Sequence, residues 1–197
     1  MQWYSDKKST EASKYYTKKK TKIYKEQNKD KVKDYEKEID NISKDKIVYI
    51  YEKGIDTYLY REYGYSLRGK KVYGKISGRK YKRVGIVAAQ LNKKIIAPLE
   101  YSGTMRSDLF EYWFSKQLIP ILPKDSVIVM DNASFHRKKQ LFSIAQKYKH
   151  HLIFLPPYSP ELNPIEKFWN QLKRHLKKIL LNFPTFDDAL FECFQVL

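Results

Sequence analysis

The hydrophobic pattern of this 197-residue chain changes its period between Leu99 and Ser107, and that change constrains the fold most. Before the change, short β-branched and aromatic runs are typical of strands, with a break at Gly54 and a turn at 92–94. The predicted segments are Ile47–Tyr51, Tyr58–Tyr65 as strand or hairpin, Arg83–Gln90 and Ile95–Leu99. This first half is therefore antiparallel in character.

Beyond the change, apolar residues recur with a period of about 3.6, and short continuous apolar runs separate the periodic segments. The predicted helices are one capped by Ser107 and running to Gln117, then Lys138–Tyr148, Pro164–Leu180 and Phe186–Val196. The predicted strands are Val127–Met130 and Leu152–Leu155. Three antiparallel strands followed by alternating helices and strands predict one mixed-sheet α/β domain.

Residues 1–46 contain 14 Lys, no Arg and 9 acidic residues, with almost no aliphatic side chains, so they cannot build a core. Mixed-sign charges at helical spacing over residues 24–40 predict an exposed helix or a partly ordered tether. We therefore divide the chain into a lysine-rich helical arm, 1–46, and a folded domain, 47–197. A solvated arm and an arm that contacts DNA remain alternatives.

The formal net charge of +17, from 39 basic and 22 acidic residues, predicts attraction to a polyanion. Nucleic acid is favoured over a membrane, because no stretch of about 18 uncharged apolar residues is present. The single cysteine, Cys193, excludes an intrachain disulfide, and residues 1–6 show no apolar signal segment. We therefore expect a reducing, cytoplasmic setting.

A strongly basic segment runs from Arg61 to Arg83, with nine basic residues and one acidic residue among Tyr and Gly. This composition predicts a loop or hairpin along a phosphate backbone, although a hairpin that is merely soluble remains an alternative. The basic side chains of the helix predicted over Pro164–Leu180 could serve the same purpose. The predicted DNA contacts are Arg68, Lys70, Lys71, Arg79, Lys80, Lys82, Arg83, Lys173 and Arg174.

Two carboxylates stand at positions typical of functional sites. Asp131 ends the strand Val127–Met130, where open α/β sheets place ligand-binding groups, although a turn or helix cap is an equal interpretation. Glu166 follows Asn163 and Pro164 at a helix start, which suits either a capping box or a metal ligand. Position alone does not choose between these roles.

Taken together, these motifs resemble the catalytic domain of bacterial insertion-sequence transposases of the mariner-type DDE superfamily. The motifs are Tyr-Gly-Tyr-Ser-Leu-Arg-Gly, Val-Ile-Val-Met-Asp131-Asn-Ala-Ser-Phe-His136 and Leu-Pro-Pro-Tyr-Ser-Pro-Glu-Leu-Asn-Pro-Ile-Glu166. The 34 residues between Asp131 and Glu166 are a spacing familiar in that family. The resemblance covers roughly Lys19 to the C-terminus. It favours a catalytic, metal-binding role for both carboxylates over a role in capping or turns.

The resemblance implies a ribonuclease-H-like fold that holds two Mg²⁺ ions with an Asp, Asp, Glu triad. It implies cleavage of transposon ends by water and then strand transfer to target DNA by a 3′-hydroxyl. The implied partners are double-stranded DNA and either a second copy of the chain or a full-length transposase.

The chain departs from the family at its first catalytic position, where Tyr51 replaces aspartate. A phenol, with a pKa of about 10, is a poor Mg²⁺ ligand. Glu52 should point to the opposite sheet face, and Asp56 lies beyond Gly54, so that it could substitute only if the strand end were rearranged. We therefore expect weakened metal binding and the loss, or near loss, of strand cleavage.

A second departure is that 46 lysine-rich residues cannot hold the family's N-terminal helix-turn-helix modules, so we expect a truncated or split element. Three hypotheses remain open. The chain is an impaired transposase catalytic domain, a non-catalytic DNA-binding remnant, or an unrelated ribonuclease-H-like nuclease.

Overall fold

The structure, a computed structural model, describes residues 24–59, 64–79 and 81–197. Their five strands are β1 (Ile47–Asp56), β2 (Arg83–Leu91), β3 (Lys94–Ser102), β4 (Val127–Met130) and β5 (His151–Phe154). The described α-helices are α1 (Lys29–Asp40), α2 (Ser107–Trp113), α3 (Lys138–Lys147), α4 (Ile165–Ile179) and α5 (Phe186–Val196). No helix of this described part is long and apolar enough to span a bilayer.

The strands form one mixed sheet in the order β3-β2-β1-β4-β5. β1, β2 and β3 are antiparallel neighbours, whereas β4 and β5 run parallel to β1. Asn92 and Lys93 join β2 to β3 with positive φ angles of 51° and 66°, as a two-residue hairpin turn requires. The predicted mixed α/β fold is confirmed.

The predicted break at Gly54 is wrong, because β1 continues through it to Asp56 and Gly54 pairs with Gly85 of β2. A Cβ atom on Gly54 would lie 2.0 Å from Nε of Arg83, so glycine here allows the Arg83 side chain to cross the strand. The residue that appears to interrupt the strand is instead a site of close side-chain approach.

The strand or hairpin predicted over Tyr58–Tyr65 is not found in the described residues. Tyr58 and Leu59 belong to no strand, residues 60–63 lie outside the described part, and residues 64–79 form an exposed loop without regular structure. We call residues 64–79 the basic loop. Its base is held where the Tyr58 ring stacks on Tyr81 at 4.3 Å and the Tyr58 hydroxyl accepts a hydrogen bond from the Ser77 amide at 3.1 Å.

The helix cap predicted at Ser107 is one residue late. Arg106 holds the cap position, and Ser107 is the first helical residue. The Ser107 hydroxyl donates to the carbonyl of Phe135 at 2.6 Å, which ties the start of α2 to the loop that follows β4. Ser107, whose side chain could cap a helix, thus makes a long-range hydrogen bond instead.

Each face of the sheet is covered by its own core, because successive side chains of β1 point to opposite sides. Val48 and Ile50 pack on the face covered by α2 and α3. Tyr51 and Ile55 pack on the other face, against α4 and α5. Since Tyr51 and the start of α4 share a face, this alternation decides which side chains meet at the candidate site.

Of the two alternatives for residues 24–40, the exposed helix is found as α1, and most of its side chains are exposed, but one of them anchors it to the folded domain. Tyr35 is only 6% exposed and packs with Val129 and Leu155 from the sheet and the loop after β5. Just before the helix, the Gln27 side chain donates to Oγ of Ser159 at 2.9 Å. This part of the arm is therefore packed against the loop that leads to Glu166.

Replacing Tyr35 by alanine is expected to lower the free energy of unfolding by about 3 kcal/mol, because a buried aromatic ring is removed. The matched control is Tyr112→Ala on α2, where the side chain is 59% exposed and a change below about 0.5 kcal/mol is expected. Urea unfolding of both variants measures the difference. Equal midpoints for the two variants would contradict the packing of α1.

Candidate active site

The residues predicted at the catalytic positions lie on three elements and come together. Tyr51 lies within β1, Asp131 directly follows β4, and Glu166 is the second residue of α4. The pKa of Tyr51 is raised because the phenol is half-buried and because the Glu166 and then the Asp131 carboxylates lie near it. The phenol is therefore held in its protonated form between two acids.

Asn163 fixes the position of Glu166 relative to β1. It is 2% exposed, and its Nδ2 donates to the carbonyl of Ile50 at 3.1 Å, next to Tyr51. Its Oδ1 accepts from the amide of Ile165 at 3.3 Å. Helix α4 begins at Ile165, one residue after the predicted start at Pro164. The start of α4 is thereby tied to the middle of β1.

The capping-box alternative for Glu166 does not form. In a capping box, Glu166 would accept from the amide of Asn163, but that amide donates to the carbonyl of Pro160 at 3.1 Å. Glu166 Oε2 instead lies 3.5 Å from Nζ of Lys53, with the Glu166 side chain 26% exposed. The carboxylate therefore faces the candidate site rather than its own helix end.

Asp131 has one oxygen committed to a turn and remains accessible. Its Oδ1 accepts from the Ala133 amide at 3.2 Å, so the predicted turn role is present. The side chain is nevertheless 43% exposed, which leaves the carboxylate open to a ligand. The structural and functional roles of Asp131 are compatible rather than exclusive.

His136 lies behind Asp131 and supports it. Its side chain is 3% exposed, and the centre of its ring lies 4.4 Å from the centre of the Phe110 ring. Burial lowers the pKa of His136, and the charge of Asp131 partly offsets that shift. Its Nδ1 lies 3.2 Å from the Asp131 carbonyl oxygen and 3.6 Å from Oδ1. A neutral His136 with Nδ1 protonated donates to that carbonyl and holds the turn in place.

Lys53 is the residue of the site that the sequence analysis missed. Its Nζ donates to the Tyr51 hydroxyl at 3.4 Å, lies 5.2 Å from the centre of the Tyr51 ring, and pairs with Glu166. The signal that could have found it is the two-residue repeat of a strand, since residues 51 and 53 share a face. The interruption assumed at Gly54 hid that signal.

Glu52 points away from Tyr51, as strand alternation predicts. It accepts a hydrogen bond from the hydroxyl of Tyr101 on β3. Burial raises its pKa, and the bond from Tyr101 partly offsets that rise. Asp56 is exposed at the end of β1, where its charge acts on Lys173.

Tyr51, Lys53, Asp131 and Glu166, which we call the carboxylate site, do not fit a pair of divalent ions. Among residues 24–59, 64–79 and 81–197, no group of three or more His, Cys, Asp and Glu side chains could hold a metal. Mg²⁺ prefers several oxygen ligands, of which carboxylates are the strongest. This site offers two carboxylates, a protonated phenol and an ammonium group.

The predicted DNA contacts are mostly exposed, and most of them lie in the segment that joins the end of β1 to the start of β2. Lys82 and Arg83 stand exposed at the start of β2, and Arg174 is exposed on α4, whereas Lys80 lies outside the described residues. The pKa of Lys173 is lowered by burial and then by the nearby charge of Lys53, while Asp56 opposes that shift. The exposed contacts in the basic loop are Arg68, Lys70, Lys71 and Arg79.

The mixed five-stranded sheet with its flanking helices has the ribonuclease-H-like fold of transposases and integrases. The family described as DDE superfamily endonuclease matches residues 46–189, and the chain belongs to that family. No curated protein matches the chain.

Solved structures show the same fold at low sequence identity. The chain is similar to the Mos1 strand transfer complex with a TM-score of 0.66 at 15% identity, over 95% of this chain and 60% of that one. It is similar to the Mos1 transposase paired-end complex with left transposon end with a TM-score of 0.64 at 13% identity, over 94% and 64%. The HTLV-2 integrase catalytic core domain in complex with magnesium gives 0.52 at 15% identity, over 79% and 87%. The chain thus spans less than two thirds of the Mos1 chains it matches.

Proposed function

We propose that this chain is a DNA-binding protein built on a transposase catalytic domain in which strand cleavage is lost or nearly lost. The observation that carries the proposal is the content of the carboxylate site. Tyr51 takes the place of the first acid, and Nζ of Lys53 lies 3.5 Å from Glu166 Oε2. A site with one acid fewer and one ammonium more does not attract the two divalent ions that cleavage in this family requires.

The DNA-binding half of the function rests on charge. The chain carries a net charge of +17, and the exposed basic loop interleaves Arg and Lys with Tyr65, which is fully exposed, and Tyr73, which is 86% exposed. Basic side chains neutralise phosphates, and exposed aromatic rings add contacts to sugars or bases. Duplex DNA, as transposon ends or target, is the partner that fits this surface.

The proposal also covers where the chain acts and what it pairs with. The chain acts in a bacterial cytosol or nucleoid, and it pairs either with a second copy of itself or with a full-length transposase whose action it then limits. Residues 47–197 form the DNA-binding body, and residues 1–46 add a basic arm with its helix α1 packed against that body.

The test separates binding from cleavage. Fluorescence anisotropy with a labelled duplex should give the same affinity in EDTA and in Mg²⁺ at matched ionic strength. Nicking of supercoiled plasmid by the unmodified chain should equal that of the Asp131→Asn, Glu166→Gln double variant. Metal-dependent nicking above that of the double variant would overturn the loss of cleavage, and failure to bind duplex DNA would overturn the proposal as a whole.

A further inference from the structure

Lys53 has the position and the neighbours of a bound cation. Its ammonium group contacts the Tyr51 hydroxyl at 3.4 Å and Glu166 Oε2 at 3.5 Å. Its side chain is 29% exposed and that of Glu166 is 26% exposed, so the ion pair is partly shielded from solvent. A metal bridging from β1 to the start of α4 would have to occupy the same gap.

The backbone of β1, and not only the Lys53 rotamer, determines on which face of the sheet Lys53 lies. β1 pairs with β2 continuously from Val48 to Asp56, so residue 53 is locked onto the face that Tyr51 and Ile55 occupy. Asn163 ties the start of α4 to β1 at Ile50, which keeps Glu166 within reach. Lys173 and Arg83 add positive charge around the same end of β1.

We propose that Lys53 is the resident cation of the carboxylate site and that its ammonium group excludes divalent metal from it. The inference deepens the proposed function, on which it rests, because it names Lys53 rather than Tyr51 alone as the barrier to metal. The Lys53 ammonium group already pairs with the Glu166 carboxylate at 3.5 Å, which is the contact that a metal ion at this position would have to make. A divalent ion between Tyr51 and Glu166 must first displace Lys53 and then tolerate its charge nearby.

Because Lys53 competes with metal, we expect Tyr51→Asp alone and Tyr51→Asp combined with Lys53→Met to differ in their affinity for Mn²⁺. Restoring an acid with Tyr51→Asp adds a ligand but also gives Lys53 a second partner, so the ammonium group still competes with a divalent ion and weakens its binding. Removing the ammonium as well, in Tyr51→Asp with Lys53→Met, leaves three acids without the cation that pairs with Glu166. We expect the double variant to bind Mn²⁺ at least about tenfold more tightly than Tyr51→Asp alone, the size of effect that neighbours of metal ligands commonly have.

Calorimetric titration of the full chain with MnCl₂, without DNA, measures these affinities. Lys167→Met, combined with Tyr51→Asp, is the matched control, because Lys167 follows Glu166 in sequence but is exposed on α4. The control should bind Mn²⁺ like Tyr51→Asp alone. Lys53→Gln replaces Lys53→Met if the methionine variant does not fold, as judged by circular dichroism.

Equal Mn²⁺ affinity for Tyr51→Asp and for the double variant would overturn the role of Lys53, as would Mn²⁺ binding by the unmodified chain that Glu166→Gln abolishes. These outcomes are distinct from failure of the proposed function. Equal affinities with no nicking by the unmodified chain would sink only the role of Lys53. A tighter double variant together with nicking by the unmodified chain would sink only the loss of cleavage.

Discussion

Tyr51→Asp is expected to give the chain metal-dependent nicking of supercoiled DNA at a rate at least about 100-fold above that of the unmodified chain, because it restores a missing metal ligand. The new carboxylate would lie on the face of β1 that already meets Glu166 and Asp131. Three acids around one small volume can hold divalent ions, which stabilise the attacking and leaving oxygens of a phosphodiester. Saturating Mn²⁺ favours the effect, since it competes with Lys53.

The matched control for this gain is Tyr51→Asp combined with Glu166→Gln, which keeps the new acid and removes the carboxylate at the start of α4. Nicking should return to the background of the unmodified chain. Nicking by the control at the rate of Tyr51→Asp would show that the activity comes from elsewhere. Background nicking by Tyr51→Asp even at saturating Mn²⁺, where Lys53 is displaced, would mean that the acid at position 51 is not what limits cleavage.

Neutralising Arg68, Lys70 and Lys71 together to alanine is expected to weaken duplex binding by about 100-fold near 0.1 M salt, because three phosphate contacts and their released counterions are lost. All three side chains are exposed in the basic loop. The slope of log affinity against log salt concentration should become shallower by about 2.7, which is 0.9 for each contact. Anisotropy titrations at four or more salt concentrations measure the affinity and the slope.

A control with the same change of charge separates a local contact from an effect of net charge. Lys124, Lys147 and Lys149 are exposed and lie before β4 or at the end of α3, at the end of the sheet opposite Asp131. Their replacement by alanine should leave most of the affinity intact. An equal loss in both triple variants would assign binding to overall charge, and no loss in either would exclude the basic loop from the interface.

Some elements of this fold can be predicted from the sequence and others cannot, for physical reasons. A buried strand such as β4 is predicted well, because its continuous apolar run can be recognised in the local sequence. The length of β1 is not predicted well. Gly54 weakens the strand pattern in the sequence, but its pairing with Gly85 of β2 stabilises the strand in the folded sheet. Local propensity thus favours an interruption, and tertiary pairing overrides it.

The packing of α1 was also beyond the sequence pattern. The helix has the mixed charges of a solvated segment, and its mean composition gives little reason to bury it. A single ring, Tyr35, packs between strands and a loop that are far away in sequence. Burial of one side chain at such a distance depends on the sheet order, which periodicity does not contain.

The sequence by itself determined the mixed α/β class, the excess of positive charge, the positions of Asp131 and Glu166 at element ends, and the presence of Tyr51 where the family resemblance predicts an acid. These follow from local patterns and from residue identity. Only the tertiary structure decided that Lys53 pairs with Glu166, that Asn163 anchors α4 to β1, and that Glu52 bonds to Tyr101 instead. Contacts between residues more than 40 positions apart depend on strand order, register and face, because a shift of one residue in a strand exchanges the two faces of the sheet.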